Sequence, residues 1–224
     1  VKMKQNKPLF LALAILCTLN LLGHLVCLPF LPEQVPIHWN FAGEIDGWGP
    51  KWSAAAFGAL PLGILLLLGA LPYIDPKGKN FEKFGALYRG TTIGFTLLFC
   101  LFSWVTELSA FGFIPDGSNL VGVLIGGGLG FFFILLGNYM PRIKQNYTFG
   151  CRTPWSLADP HNWERTQRMG GITFIVMGIA LLLNSFLAGW LGEGVVLTFL
   201  LIVLLGGTGW IFLYSFLVYK RIMK

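Results

Sequence analysis

The side chains best suited to chemistry lie in a connecting segment that runs from about Pro32 to Trp52. It contains one imidazole, His38, and a nearby aspartate, Asp46, which together could serve as a general acid and base or as two ligands of a metal ion. A metal site needs at least one further ligand, for which His24 and Glu44 are the nearest choices. No nucleophile and base form a recognisable catalytic motif. We therefore predict no enzymatic activity, no cofactor and no metal.

The same segment is rich in aromatic residues and turn formers. Pro32 and Pro36 disfavour a helix, so we predict an extended piece from Val35 to Trp39, followed by turns at Gly43 and Gly47. Two interpretations remain open, because the tryptophans could mark the lipid headgroup level or form an external recognition surface. The candidate ligand-binding residues of this segment are His38, Trp39, Asn40, Asp46 and Trp48.

A second group of polar side chains falls inside apolar stretches. Asn20 and His24 are one helical turn apart, so they share one face of a helix, which we expect to point inward. His24 could pair with Glu107 or with a group of the connecting segment, either for function or as a simple interhelical hydrogen bond. The intramembrane polar candidates are thus Asn20, His24 and Glu107. No charge falls at the middle of a stretch, which disfavours an ion or proton relay.

The third group lies in a basic segment between Gly137 and Gly171. Asp159 followed by Pro160 is typical of a helix start, and Thr153 followed by Pro154 predicts a second one. Anchoring to anionic headgroups explains part of this composition. The clustering of polar residues suggests a contact surface as well. Its candidates are Asn138, Arg142, Asn146, Arg152, Thr153, Pro154, Trp155, Trp163, Arg165 and Arg168.

The elements that must position these groups are membrane helices. Hydrophobic residues make up 55% of the chain and charged residues 12%, and the mean hydropathy is +0.69. A helix needs about 20 apolar residues to cross a bilayer, and six stretches without Asp, Glu, Lys or Arg come near or exceed that length. We predict an all-α polytopic membrane protein with six transmembrane helices. The stretches run from Pro8 to Pro32, Ser53 to Ile74, Gly90 to Thr106, Gly117 to Pro141, Met169 to Gly192 and Gly194 to Tyr219.

The basic residues indicate the orientation of these helices. Every lysine and arginine except Lys51 falls on one side of the predicted bundle, which places both termini in the cytoplasm. Lys2, Lys4 and Lys7 before the first stretch imitate a signal peptide, but the stretch is too long, and we expect it to stay as an anchor. The Pro32–Trp52 segment is then external and the basic segment cytoplasmic.

We divide the chain into two three-helix regions. Residues 1–110 carry the outer loop at about 32–52, and residues 111–224 carry the cytoplasmic loop at about 140–168. Gly122, Gly126 and Gly130 form a doubled GxxxG pattern in the fourth stretch, which predicts close packing within the bundle, with a homodimer face as the alternative. The basic residues are scattered among short loops, so direct nucleic-acid binding is not predicted.

The basic segment resembles a known family. Its signature residues are Gly137, Asn138, Gly150, Arg152, Thr153, Pro154, Trp155, Ser156, Leu157, Trp163 and Arg168, and they are similar to those of SdpI-type bacterial immunity membrane proteins. Ser156 stands where that family usually has Thr, and Cys151 takes a position often held by Ile. A second set resembles a domain of unknown function that often precedes the SdpI region. It comprises Leu31, Pro32, Val35, Pro36, Ile37, His38, Asn40, Gly43 and Asp46.

The resemblance implies a protein of the bacterial cell membrane that protects a producing cell from a secreted peptide toxin. It also implies signalling, in which toxin engagement lets the protein hold a cytoplasmic transcriptional repressor. Two rival functions remain open. One is a membrane enzyme acting on lipid or peptide, with His38 and Asp46 as acid and base or Arg152 and Asn146 gripping a phosphate. The other is a small transporter.

Overall fold

A computed structural model describes residues 7–222 of the chain. Lys2, Lys4 and Lys224, which contributed to the predicted orientation, lie outside the described residues. Six helical segments are long and apolar enough to cross a membrane, so the predicted number of spans is confirmed. They cover Lys7–Phe30, Trp52–Ile74, Gly78–Ala110, Leu120–Arg142, Pro160–Leu187 and Glu193–Tyr219.

The first three spans and one hairpin form the N-terminal half. Its elements are α1 (Lys7–Cys27), a 3-10 turn (Leu28–Phe30), β1 (Gln34–Trp39), β2 (Ile45–Pro50), α2 (Trp52–Ile74), a 3-10 turn (Gly78–Phe84), α3 (Gly85–Ser103) and α4 (Val105–Ala110). The third span extends beyond the predicted stretch to Ala110, after a break at Trp104. Pro61 and Pro72 lie inside α2, and both are buried.

The other three spans form the C-terminal half. Its elements are α5 (Leu120–Gly122), a π-helical turn (Val123–Gly127), α6 (Gly128–Tyr139), a 3-10 turn (Met140–Arg142), α7 (Pro154–Ala158), α8 (Pro160–Leu187) and α9 (Glu193–Tyr219). Both predicted helix starts of the basic segment are confirmed, since α7 begins at Pro154 and α8 at Pro160. Helix α8 packs between α6 and α9, while α3 meets α6 at the seam between the halves.

Glycines allow α6 and α8 to touch backbone to backbone. A Cβ added at Gly130 would lie 2.7 Å from the carbonyl oxygen of Gly178, and one added at Gly137 would lie 2.6 Å from that of Gly171. Any side chain at these two crossing points would push the helices apart. Part of the glycine stripe therefore serves packing within the chain, as predicted.

The extended piece predicted after the first span is the first strand of a β-hairpin. β1 and β2 pair antiparallel, with Val35 opposite Gly49 and Trp39 opposite Ile45. The register shifts on both sides of His38, which twists the ladder at that point. Leu28, Leu31, Val35 and Ala54 form a small apolar cluster that fixes the hairpin to the ends of α1 and α2.

Candidate functional site

The hairpin turn is built around Asn40. Its side-chain Oδ1 accepts hydrogen bonds from the backbone N–H groups of Ala42 and Glu44, both at 2.9 Å, and its Nδ2 donates to the Glu44 carboxylate at 2.8 Å. Gly43 has a φ of +84°, a left-handed conformation that favours glycine. Both polar side-chain atoms of Asn40 are therefore used within the turn, and a ligand would have to compete with these hydrogen bonds.

His38 and Asp46 project from the hairpin ladder as an exposed pair. The His38 Nδ1 lies 2.6 Å from the Asp46 Oδ1, and the two side chains are 71% and 44% exposed. Trp48 is also exposed. Within residues 7–222, no group of three or more His, Cys, Asp or Glu side chains is close enough to hold a metal ion. The pair is available to solvent or to a partner on the hairpin surface.

The tip of the hairpin is docked onto the connection between the third and fourth spans. The Ile45 N–H donates to the Asp116 carboxylate at 2.8 Å, and the Gly117 N–H donates to the Gly43 carbonyl at 3.0 Å. Trp39 packs beside the buried cluster of Val105, Ile114 and Val121. The hairpin therefore bridges the two halves of the chain.

Beneath the hairpin lies a cavity of about 490 Å³, here called the hairpin cavity. One side is the strand end from Ile37 to Phe41, and the opposite wall comes from the fourth, fifth and sixth spans. The lining is largely apolar, with Leu200 and Leu204 contributed by α9 and the polar pair Asn184 and Ser185 by α8. The hairpin cavity therefore suits an apolar group that carries one or two hydrogen-bonding atoms.

Glycines and a π-helical turn shape the wall of this cavity. Gly122 and Gly126 both line it, and the π-helical turn Val123–Gly127 runs through the same wall. A Cβ added at Gly126 would lie 3.1 Å from the Ser185 Cβ. Interruptions of this kind in α-helices are frequent at functional sites. Two glycines of the doubled GxxxG pattern therefore border the cavity, while only Gly130 packs on a partner backbone.

The intramembrane polar candidates meet in one buried network. His24 hydrogen-bonds through Nδ1 to the Glu107 carboxylate and through Nε2 to the Ser103 hydroxyl at 3.0 Å. Asn20 accepts from the Trp104 indole N–H at 2.9 Å and donates to Ser103 at 3.2 Å. The expectation that Asn20 and His24 face inward is met, and His24 pairs with Glu107 rather than with the hairpin.

Neighbouring residues hold the His24 ring in place. It stacks on the Trp104 ring with the centroids 4.2 Å apart, and Gly58 also lies against it, so that an added Cβ there would be 2.5 Å from the ring atom Cγ. His24 is fully buried and Glu107 is 1% exposed. The second carboxylate oxygen of Glu107 has no hydrogen-bond partner among residues 7–222. The network therefore holds α1 and α2 against the break between α3 and α4.

At the opposite end of the bundle, residues 143–159 form an ordered structure, here called the basic loop. Asn146 is fully buried, and it donates to the Lys144 and Phe149 carbonyls while accepting from the Thr148 and Phe149 N–H groups. Asp75, which follows α2, accepts from the Tyr147 N–H at 2.8 Å and the Thr148 hydroxyl at 2.7 Å. The basic loop is therefore tied to both halves.

Gln167 locks the loop onto α8. Its side-chain amide donates to the Cys151 carbonyl at 2.7 Å and accepts from the Cys151 N–H at 3.1 Å, and the residue is fully buried. Gly150 has a φ of +102°, and a Cβ there would lie 2.8 Å from the Gln167 Oε1. Burial raises the pKa of the Cys151 thiol to about 12, although neighbouring Arg152 favours the thiolate.

The loop also reaches the last span through hydroxyl groups. Thr153 and Ser156 form a capping box at the start of α7, with the Ser156 N–H 3.0 Å from the Thr153 hydroxyl. The Thr153 hydroxyl also lies 2.6 Å from that of Ser215 in α9, which donates to Asn162 at 2.8 Å. The Trp163 indole N–H donates to the Ile143 carbonyl at 2.8 Å.

The basic-loop candidates thus fall into two groups. Asn146, Thr153 and Trp163 are buried and build the loop, whereas Asn138, Arg142, Arg152, Pro154 and Arg168 are exposed. Arg152 donates to the Tyr147 carbonyl at 2.8 Å, and half-buried Trp155 packs on Phe216 with the ring centroids 5.2 Å apart. Half-buried Arg165 donates to the Tyr214 hydroxyl at 3.4 Å. A binding partner of the basic loop would contact the exposed residues.

Sequence reasoning missed several residues of these networks. Gln167, Asp75 and Ser215 anchor the basic loop, yet none of them belongs to a motif. Gln167 and Asp75 lie next to predicted membrane stretches, and Ser215 lies inside one. Asn184 and Ser185 line the hairpin cavity, although neither was among the predicted site residues. The signal that could have found Gln167 is its position on the same helical face as Trp163, four residues earlier.

Comparison with known proteins matches both halves of the chain. The SdpI/YfhL protein family matches residues 142–215, and a domain of unknown function, DUF1648, matches residues 15–62. The immunity protein SdpI of Bacillus subtilis strain 168 is 28% identical over 206 residues, which cover 91% of this chain and 90% of that relative. No solved structure matches the chain. The predicted resemblance is confirmed, as is a multi-pass bacterial membrane protein.

Proposed function

Because this membrane protein carries an SdpI/YfhL region behind a DUF1648 region, we propose that it confers immunity to a secreted peptide toxin. The observation that carries the proposal is the likeness to an immunity protein along nearly the whole chain, which includes the hairpin, the buried His24 network and the basic loop. Under this proposal the protein is a receptor and not an enzyme.

The orientation follows the positive-inside rule. The basic loop and both termini are cytoplasmic in this proposal, and the hairpin is external. The N-terminal region (residues 1–110) supplies the hairpin, and the C-terminal region (residues 111–224) supplies the helices beneath it. A toxin arriving from outside then meets the two regions where they join.

We place the toxin at the hairpin cavity. An amphipathic peptide lying at the membrane surface can insert apolar side chains between Phe41 and the α9 leucines, where Asn184 and Ser185 offer hydrogen bonds. Its cationic residues would face the exposed carboxylates of Glu44 and Asp46. His38, Trp39 and Trp48 of the hairpin are then its neighbours.

Signalling, the second part of the proposal, requires a path from the cavity to the basic loop. Helix α8 supplies one, because it lines the cavity with Asn184 and Ser185 and holds the basic loop with Gln167. If α8 has two arrangements, a toxin that binds one of them more tightly would increase the population of that arrangement and decrease the population of the other. The exposed Arg152 and Arg168 and the half-buried Trp155 would then hold or release a cytoplasmic repressor.

Deletion of the gene in its own host tests the immunity proposal. The deletion strain is exposed to spent medium from its parent and, separately, to the toxin that the B. subtilis relative counteracts. We expect the deletion strain to die in at least one of these two challenges and a plasmid-borne copy to restore survival. A deletion strain that survives both challenges as well as its parent would contradict the proposal.

A further inference from the structure

A second cavity lies at the seam between the two halves, on the basic-loop side of the membrane. It has a volume of about 480 Å³ and runs between α3 and the fourth span. None of its lining residues lines the hairpin cavity. Its apolar walls include Phe132, Leu135 and Leu136, and its end toward the basic loop is formed by Tyr139 and Arg142. We call it the seam groove.

Missing side chains on α3 create the seam groove. Gly90 and Gly94 are one helical turn apart and both line it. A Cβ added at Gly90 would meet nothing within 4 Å, while one at Gly94 would lie 2.8 Å from the Phe132 ring. Gly90 therefore faces open space instead of serving close helix packing. The result is an apolar trough that runs along α3 and the fourth span and leaves room for an acyl chain.

The mouth of the seam groove carries a positive charge. Arg142 is exposed, and its guanidinium carbon lies 5.0 Å from the centre of the Tyr139 ring. None of the ion pairs formed by residues 7–222 includes Arg142. A planar guanidinium held over an aromatic ring at a membrane interface is well suited to a phosphate, which it can bind through two parallel hydrogen bonds.

We propose that the seam groove binds one anionic phospholipid of the cytoplasmic leaflet. One acyl chain lies on Gly90 and Gly94 against Phe132, and the phosphate meets Arg142. Charge complementarity favours an anionic headgroup, because this side of the protein holds nearly all its lysines and arginines. A zwitterionic lipid would fill the trough but would bring no net charge to Arg142. Bound there, the lipid would join α3 of one half to the fourth span of the other.

Native mass spectrometry of the full-length protein, with phosphatidylglycerol and phosphatidylcholine added in equal amounts, tests this site. We expect the wild type to retain phosphatidylglycerol about five-fold more than phosphatidylcholine. Arg142→Gln should remove this preference while leaving some binding of both lipids. Gly90→Leu fills the open trough, so it should lower the binding of both lipids.

Two matched controls separate the groove from general effects. Gly63→Leu adds the same side chain on α2, where a Cβ also meets nothing within 4 Å, and Lys220→Gln removes an exposed charge at the end of α9. Both should retain lipid as the wild type does. Equal retention of the two lipids by the wild type would overturn the proposal, as would equal binding by Gly90→Leu and Gly63→Leu. A preference that survives Arg142→Gln would also contradict it.

Discussion

His24 and Glu107 join the first and third spans through a hydrogen bond between the imidazole Nδ1 and the carboxylate, and both side chains are almost completely buried. Polar pairs of this kind are costly to bury and are rarely placed in a membrane segment without a structural or functional reason. Here Glu107 belongs to α4, which also contacts the first strand of the hairpin. The pair therefore sets the position of the helix on which the hairpin rests.

Removing one member of this pair should destabilise the protein. We expect Glu107→Ala to lower the free energy of unfolding by ~1–3 kcal/mol, because the Nδ1 of His24 loses its partner in a buried site. The measurement is the melting temperature of the purified protein in detergent. As a control, Glu164→Ala disrupts the exposed Lys144–Glu164 pair, at 3.4 Å, and should cost under about 1 kcal/mol. Equal shifts for the two variants would contradict this account.

The basic loop should depend on Gln167. Gln167→Leu has a similar volume but cannot bond the Cys151 backbone, so a buried N–H and a buried carbonyl lose their partners. We expect the loop to open more readily. Amide hydrogen exchange across residues 143–158 should then be at least ten times faster than in the wild type, which corresponds to a loss of ~1.4 kcal/mol or more from the free energy of opening. Gln34→Leu, at an exposed hairpin position, should leave this exchange unchanged. Unaltered exchange in Gln167→Leu would contradict the role of Gln167 in holding the basic loop on α8.

The thiol of Cys151 should be unreactive in the folded protein. Burial raises its pKa to about 12, so the thiolate remains a minor species at pH 9, on the order of one in a thousand. Because the pKa lies above this range, raising the pH from 7 to 9 should not bring on rapid maleimide labelling. Tyr147→Cys places a thiol at an exposed position of the same loop and should label quickly. Equally fast labelling of Cys151 in the folded state would refute its burial.

The proposed orientation can be tested with two single-cysteine proteins. In a background without the natural cysteines, Trp48→Cys on the hairpin should react with a membrane-impermeant maleimide on intact cells, whereas Tyr147→Cys should react only after permeabilisation. Both positions are exposed in the structure, so differences in burial do not explain the pattern. The opposite result would place the hairpin in the cytoplasm and reverse the proposal.

The spans could be predicted from the sequence because bilayer thickness imposes a length on every apolar stretch. Helix starts at Pro154 and Pro160 were also predictable, since Thr153 and Asp159 before proline are local signals. The extended segment before Trp39 followed from its prolines. In each case the information lies within a few neighbouring residues.

The sites were less predictable because they depend on tertiary contacts. Nothing local shows that Gly122 and Gly126 border a cavity while Gly130 touches Gly178, although all three belong to one pattern. Likewise, Asn146, Thr153 and Trp163 are residue types common on contact surfaces. In the structure they are buried, and their side chains hydrogen-bond to backbone and hydroxyl groups. Sequence spacing identifies such residues but not the side from which they are contacted.

The placement of toxin binding at the hairpin cavity is tested most directly by filling the cavity and measuring survival. The deletion strain would carry wild type, Gly126→Leu or Leu204→Trp, with Gly209→Leu as the control on α9, where a Cβ meets nothing within 4 Å. At equal protein levels in the membrane, we expect both filling variants to lower the tolerated toxin dose at least ten-fold and Gly209→Leu to protect as the wild type does. Full protection by both filling variants would contradict the account.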